Sequence, residues 1–277
     1  MLRAKPAWLC LPYCGVIAIF LFAPALSLLQ VSFREVSPTS MTGGVFTTAN
    51  YARLIDGYYV QILWHTITLS LLSTAIATVL AYPVAYVIAR SSGFARTLVA
   101  FLVTVPLMTS VVVKTFGWYI ILSRGGPASA VASWLGWPGA SLLGNDAAVL
   151  VGLAEFALPF MVFSLSAAIE RIPPNVEEAA ANLGAGRLTT FVRVIVPLSR
   201  AGLLSGFLLC FGISSSAYVV PAVMGSTSAR MVAQQIYDDV LVAFNWPGAA
   251  ALSVVLLVLL GAVLFTALSI GRRQVAR

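Results

Sequence analysis

The sequence predicts an all-α membrane protein with six transmembrane helices and a helical finger on one membrane face. Composition and the length of the apolar runs predict the class, and the placement of basic residues orients it. Of the 277 residues, 60% are hydrophobic and only 9% charged, where a soluble domain carries about 25% Asp, Glu, Lys and Arg. So few charges cannot cover a surface that faces water. Apolar runs near residues 8–30, 63–89, 97–122, 147–169, 201–223 and 248–270 each exceed the ~20 residues needed to cross hydrocarbon. Irregular backbone facing lipid would leave its polar groups unsatisfied, so each run is expected to be a helix.

The first run tests the difference between a span and a cleaved leader. Arg3 and Lys5 make a basic start, and Ala23-Pro24-Ala25 has a small-residue spacing. The apolar stretch from Trp8 to Leu29 nevertheless exceeds the ~7–15 residues of a signal core, so a retained span is expected. Lys and Arg then set the orientation. With a cytoplasmic N-terminus the inner segments hold eleven: Arg3, Lys5, Arg90, Arg96, Arg171, Arg187, Arg193, Arg200, Arg272, Arg273 and Arg277. The outer segments hold four: Arg34, Arg53, Arg124 and Arg230. Both termini are therefore expected on the cytoplasmic side. The outer segments carry turn formers (Ser37-Pro38, Gly43-Gly44, Gly125-Gly126-Pro127), the aromatics Tyr51, Tyr58, Tyr59, Trp134 and Trp137, and Asp238-Asp239.

The same residues exclude several functions. The net charge of +7 is scattered between apolar runs with no basic stripe, which argues against nucleic-acid binding. Cys10, Cys14 and Cys210 lie in apolar segments without His or carboxylate neighbours and read as small apolar side chains. No G-x-x-x-x-G-K followed by Ser or Thr occurs, so a nucleotide would have to be bound by a partner. Nucleophile elbows and metal-ligand clusters are missing too, which removes an intramembrane enzyme. The halves show no repeat of the kind that builds secondary carriers. His65, the only histidine, falls at the outer end of the second run and reads as a partnerless interfacial residue.

One loop, 171–200 between the fourth and fifth runs, is neither floppy nor simply polar. Pro173-Pro174 stops the fourth helix. Asn175 is a good N-cap residue, and Glu178 is placed to reach back to the Asn175 amide in a capping box. Ala179, Ala180 and Ala181 favour helix with little bulk. Gly184 and Gly186 permit the positive φ that ends a helix and reverses the chain. Phe191, Val194 and Ile195 then recur at helical spacing until Pro197, which should break the second arm. Physics alone leaves two uses open: docking of another protein on the alanine face, or an elbow packed on its own bundle.

The loop resembles the EAA loop of ABC importer permeases. Glu178-Ala179-Ala180, three residues, Gly184, nine residues, then Val194-x-Val196-Pro197 keeps that family's spacing, with valine where it has isoleucine and leucine. Asn50-Tyr51-Ala52-Arg53-Leu54, Leu158-Pro159-Phe160-Met161, Met231-Val232-Ala233-Gln234 and Asn245-Trp246-Pro247 resemble the spermidine/putrescine permease branch. The resemblance implies the type I ABC importer permease fold. It divides the chain into a first helix with a periplasmic segment (1–60), a permease domain (61–271) and a cytoplasmic tail (272–277). It implies coupling helices formed by the finger, with Glu178, Ala179, Ala180, Gly184 and Pro197 as ATPase-coupling residues and Gly184 as the pivot. Implied partners are a cytoplasmic ATPase dimer that carries the ATP and magnesium, a second permease subunit and a periplasmic solute-binding protein. The resemblance also implies no cofactor bound by this chain itself and a place in the bacterial inner membrane. The implied solute is small and cationic, a polyamine; related branches carry ferric iron, thiamine, opines or phosphonates. A secondary carrier or channel would leave the spacing of the loop unexplained.

Ionisable residues inside a span are costly and face the bundle interior. Lys114 in the third run and Glu155 in the fourth are such residues: Glu155 either meets a cationic solute or pairs with Lys114. Gly202-Leu-Leu-Ser-Gly206 offers a small-xxx-small packing face in the fifth run. Ser214-Ser215-Ser216 and Tyr218 beyond it either line a polar path or pack, so Ser215 and Tyr218 join the candidate solute path. Pro83 and Pro106 admit kinks.

Overall fold

A computed structural model describes residues 11–37, 44–136, 142–225 and 230–275. Arg3, Lys5, Cys10, Pro38, Gly43, Trp137, Arg277 and the end of the 272–277 tail lie outside these residues. The order is α1 (Leu11–Ser32), α2 (Ala49–Leu54), α3 (Gly57–Arg90), α4 (Gly93–Met108), α5 (Val111–Leu122), α6 (Pro127–Trp134) and α7 (Asp146–Glu170). The finger follows as α8 (Asn175–Asn182), α9 (Arg187–Thr190), a π-helical turn (Phe191–Ile195) and α10 (Val196–Leu198). Last come α11 (Arg200–Ser215), α12 (Val219–Met224), α13 (Val232–Leu241) and α14 (Trp246–Val275). An isolated antiparallel bridge joins Arg34 with Phe46.

The six expected crossings take two forms. Four helices are long and apolar enough to cross without interruption: 15–32, 57–90, 146–170 and 246–267. Two more candidates are bent pairs, Gly93–Met108 with Val111–Trp134 at 98° and Arg187–Leu198 with Arg200–Ser215 at 70°. The third run, expected as one helix, is therefore two. Extended Thr109 (ψ 136°) and Ser110 (ψ 134°) separate them, just beyond Pro106. The fifth run is likewise interrupted, with residues 216–218 between α11 and α12.

The chain divides into two compact units, Met1–Gln61 with Gln235–Leu259, and Ile62–Gln234 with Leu260–Arg277. In the second unit, α7 begins at a formed N-cap: the Asn145 side chain accepts the Ala148 amide at 2.9 Å, with Asp146 in the first turn. Such a cap stabilises a helix by about 1 kcal/mol. α7 then packs closely along α11. A Cβ on Gly202 would collide with Ala168 and stand 2.8 Å from the Ser164 carbonyl, and one on Gly206 would lie 2.7 Å from Met161 Sδ. The small-xxx-small face thus serves packing. Ala77, Ala81 and Ala85 of α3 join Ala157, Met161 and Leu165 of α7 in one core, while Leu69, Leu153, Val220 and Met231 belong to another.

In the first unit, Asn50 Nδ2 donates to the carbonyls of Ser32 (2.9 Å) and Arg34 (2.8 Å), fixing the end of α1 to α2. Tyr58 donates to Gln235 Oε1 (2.8 Å), and Gln235 Nε2 donates to Asp239 Oδ1 (2.9 Å). Asp239 is only 6% exposed. Burial pushes its pKa up, against the opposing pull of the Gln235 hydrogen bond and of Arg53. A carboxyl raised on folding contributes stability below its unfolded value, and that contribution is lost as pH rises through the folded value. Asp239→Asn is therefore expected to flatten the fall in melting temperature as pH rises above the ordinary carboxylate value of about 4. Melting curves of wild type and variant that keep the same slope over that rise would contradict it.

Candidate functional site

The finger forms where the sequence places it, by partly different means. α7 stops at Glu170, before the proline pair. The first arm starts one residue earlier than a capping box requires. Pro174 already has helical angles (φ −58°, ψ −31°), and the carbonyls of Pro173 and Pro174 accept the amides of Val176, Glu177 and Glu178. Asn175 therefore lies inside the helix, and the expected box with Glu178 does not form. Glu178 is exposed, still within the first turn, where the helix dipole favours it. Ala179 is exposed beside it and Ala180 half-buried.

The arm ends in a Schellman motif. Ala185 N–H reaches the Ala180 carbonyl at 3.0 Å and Gly184 N–H the Ala181 carbonyl at 2.9 Å. Gly184 takes φ +82°, which only glycine adopts freely. Gly186, also expected at positive φ, has φ −69° and needs no such freedom. Leu183 and Leu188, on either side of the reversal, are 90% and 76% exposed.

Pro197 does not break the second arm as expected. Val196 N–H reaches back five residues to the Phe191 carbonyl, a π turn that widens the helix just ahead of Pro197. In α register the missing Pro197 N–H would leave the Arg193 carbonyl without a partner. The bend falls instead at Ser199, buried, with φ −87° and ψ 8°.

The opposite side of the finger is held by α3. Tyr86 donates to Glu177 Oε2 at 2.7 Å, and Arg90 Nε donates to Oε1 at 2.6 Å. Sequence reasoning counted Arg90 only as a topology signal and passed over Glu177. The available hint was that Tyr86 and Arg90 share a helix face at i, i+4.

Among the solute-path candidates, Lys114 Nζ lies 3.1 Å from Glu155 Oε1, with side chains 14% and 27% exposed, and 5.5 Å from the centre of the Phe156 ring. Glu155 also lines a cavity of about 330 Å³ whose other walls, including Val84, Val103, Leu158 and Pro159, are apolar. Ser215 is buried and donates to the Phe211 carbonyl of its own helix at 2.8 Å, so its hydroxyl faces no open path. Tyr218 sits at the interruption between α11 and α12, half-buried. His65, expected without a partner, has its Nδ1 3.2 Å from the Arg230 carbonyl, and its Nε2 stands 3.1 Å from Asp146 Oδ1 without making a hydrogen bond. The histidine is a joint between α3, the head of α7 and the segment before α13.

Residues 77–272 match the family of binding-protein-dependent transport system inner membrane components. The spermidine/putrescine transport system permease protein PotB of Escherichia coli is 33% identical over 252 residues, which cover 90% of this chain and 92% of the relative. The molybdenum transport system permease protein ModB of Azotobacter vinelandii is 31% identical over 180 residues, covering 63% and 78%. A solved bacterial alginate ABC transporter, in complex with a pentasaccharide-bound periplasmic protein, contains a chain that superposes with a TM-score of 0.74 over 96% of this chain and 93% of its own, at 18% identity. The fold is thus shared well beyond the level of sequence similarity. The chain belongs to the binding-protein-dependent transport system inner membrane components, the permease subunits of ABC importers.

Proposed function

We propose that this permease moves a small cationic solute of the polyamine class inward, driven by an ATPase that docks on the finger. The observation that carries the docking is the two-sidedness of the finger. Glu178, Ala179, Leu183, Gly184 and Leu188 are exposed, while Glu177 and Ile195 on its other side engage or bury against the protein itself. In this proposal ATP and magnesium sit on a cytoplasmic ATPase dimer. A second permease subunit completes the pathway, and a periplasmic binding protein delivers the solute. The finger and both termini then face the cytoplasm, as the distribution of Lys and Arg supports.

The solute class rests on similarity to spermidine/putrescine permeases and on Glu155, which lines an otherwise apolar cavity suited to methylene stems. Glu155→Gln is expected to lower uptake of a cationic solute about tenfold, the scale of one charge-assisted hydrogen bond. Uptake of radiolabelled putrescine and spermidine measures it, and an unchanged rate would remove Glu155 from the path. The contact with Lys114 favours a second use, a structural ion pair. In that case Glu155→Gln and Lys114→Gln lower thermal stability alike and leave solute preference unchanged.

A further inference from the structure

We infer that three side chains on one end of α3, Tyr82, Tyr86 and Arg90, form a spine that makes α3 follow the finger, with Glu177 as the positioning residue that the spine holds. The inference rests on the proposed docking of an ATPase on the finger, and adds how a push there reaches a helix to which the finger is not directly joined.

Residues 82, 86 and 90 recur every four positions and so share one helix face. From that face they meet each joint of the finger. Arg90 Nη2 donates to the Ile172 carbonyl at 3.0 Å, in the turn that leaves α7. Its Nε donates to Glu177 Oε1 at 2.6 Å, and the Tyr86 hydroxyl donates to Glu177 Oε2 at 2.7 Å, so both carboxylate oxygens of the first arm are held. On the second arm, the Phe191 ring meets Tyr82 (5.8 Å, 85°) and Tyr86 (5.7 Å, 89°) in edge contacts. At the exit bend the hydroxyls of Tyr82 and Ser199 are 3.1 Å apart.

The chain itself joins the finger only to α7 and α11; α3 is joined through these side-chain contacts. The Arg90 and Glu177 side chains are 18% and 20% exposed, so water and salt screen the pair less than an ion pair on open surface. Glu177 is also not the first residue of the E-A-A motif. Glu178 holds that position and faces outward. The adjacent glutamates thus divide the work, one toward the docking face and one toward α3.

The experiment uses the whole transporter, purified with its ATPase and reconstituted in vesicles, and reads solute uptake, ATP hydrolysis and retention of the ATPase. The variant is Arg90→Cys with Glu177→Cys, made together with Cys10→Ser and Cys14→Ser. In reduced form it is expected to retain the ATPase and hydrolyse ATP while uptake per ATP falls on the order of tenfold, the size of a typical coupling between sites. A short bifunctional thiol reagent that ties the two positions should then restore uptake per ATP. Tyr86→Phe, which keeps the ring packing, should give a smaller loss of the same kind.

Normal uptake per ATP in the reduced double variant would overturn the spine. So would a crosslink that leaves uptake unrestored, or a drop of uptake and hydrolysis in equal proportion, which marks a folding defect. A wild-type complex that carries no ATPase defeats the proposed function itself, and is separated from these outcomes by the retention measurement.

Discussion

Gly184→Trp is expected to leave the protein folded in the membrane and to abolish both solute uptake and solute-stimulated ATP hydrolysis. A Cβ built at Gly184 meets no atom within 4 Å, so a large side chain there displaces nothing inside the chain. The intrinsic cost is conformational: φ +82° in a non-glycine residue is unfavourable by about 1 kcal/mol. That is too little to unfold a helical bundle and falls equally on alanine. Gly184→Ala therefore serves as the control, sharing the strain without the bulk. A tryptophan that blocks a docking face should separate from alanine by a large factor in uptake, with equal amounts of protein in the membrane. Equal uptake in both variants would mean that nothing docks against Gly184.

Gly202→Leu carries the other large effect, and it falls on stability. The collision with Ala168 and the approach to the Ser164 carbonyl involve a short side chain and backbone, neither of which can swing aside. Ser164 Oγ also donates to the Gly202 carbonyl at 2.8 Å, so separating α7 from α11 breaks that bond as well. Overpacking of this kind costs about 3 kcal/mol. It should appear as a clear fall in melting temperature in detergent and as loss of protein from the membrane. Gly212 lies on the same helix with open space around its Cβ, so Gly212→Ala should change little. A wild-type melting temperature in Gly202→Leu would show that the two helices do not approach as described.

The helices were legible in the sequence because lipid demands length and apolarity in every crossing. The starts of α7 and α14 fall within two residues of the apolar runs, at Asp146 and Trp246. The two breaks were harder to read. Thr109 and Ser110 are neither glycine nor proline, so residue type does not announce the break that falls just beyond Pro106. In the finger, the Gly184 turn followed from residue type alone, because a Schellman motif uses local atoms. The capping box at Asn175 failed because two prolines offered their own carbonyls one residue earlier. The π turn ahead of Pro197 kept a helix going where local rules predict a stop. Contacts that join distant segments were out of reach. Arg90 and Glu177 lie 87 residues apart and His65 and Asp146 81 apart, and no periodicity links them. A contact of Lys114 with Glu155 was one of two alternatives the sequence left open, because a membrane gives buried charges few options beyond pairing or lining a cavity.

The most direct test of the central claim is reconstituted transport. The permease, purified with whatever subunits it retains, is placed in vesicles, and radiolabelled spermidine uptake is followed with and without ATP on the finger side. The proposed function predicts an ATPase subunit in the purified complex and uptake that requires both ATP hydrolysis and a periplasmic binding protein. Uptake by the permease alone, driven by an ion gradient and indifferent to ATP, would contradict it.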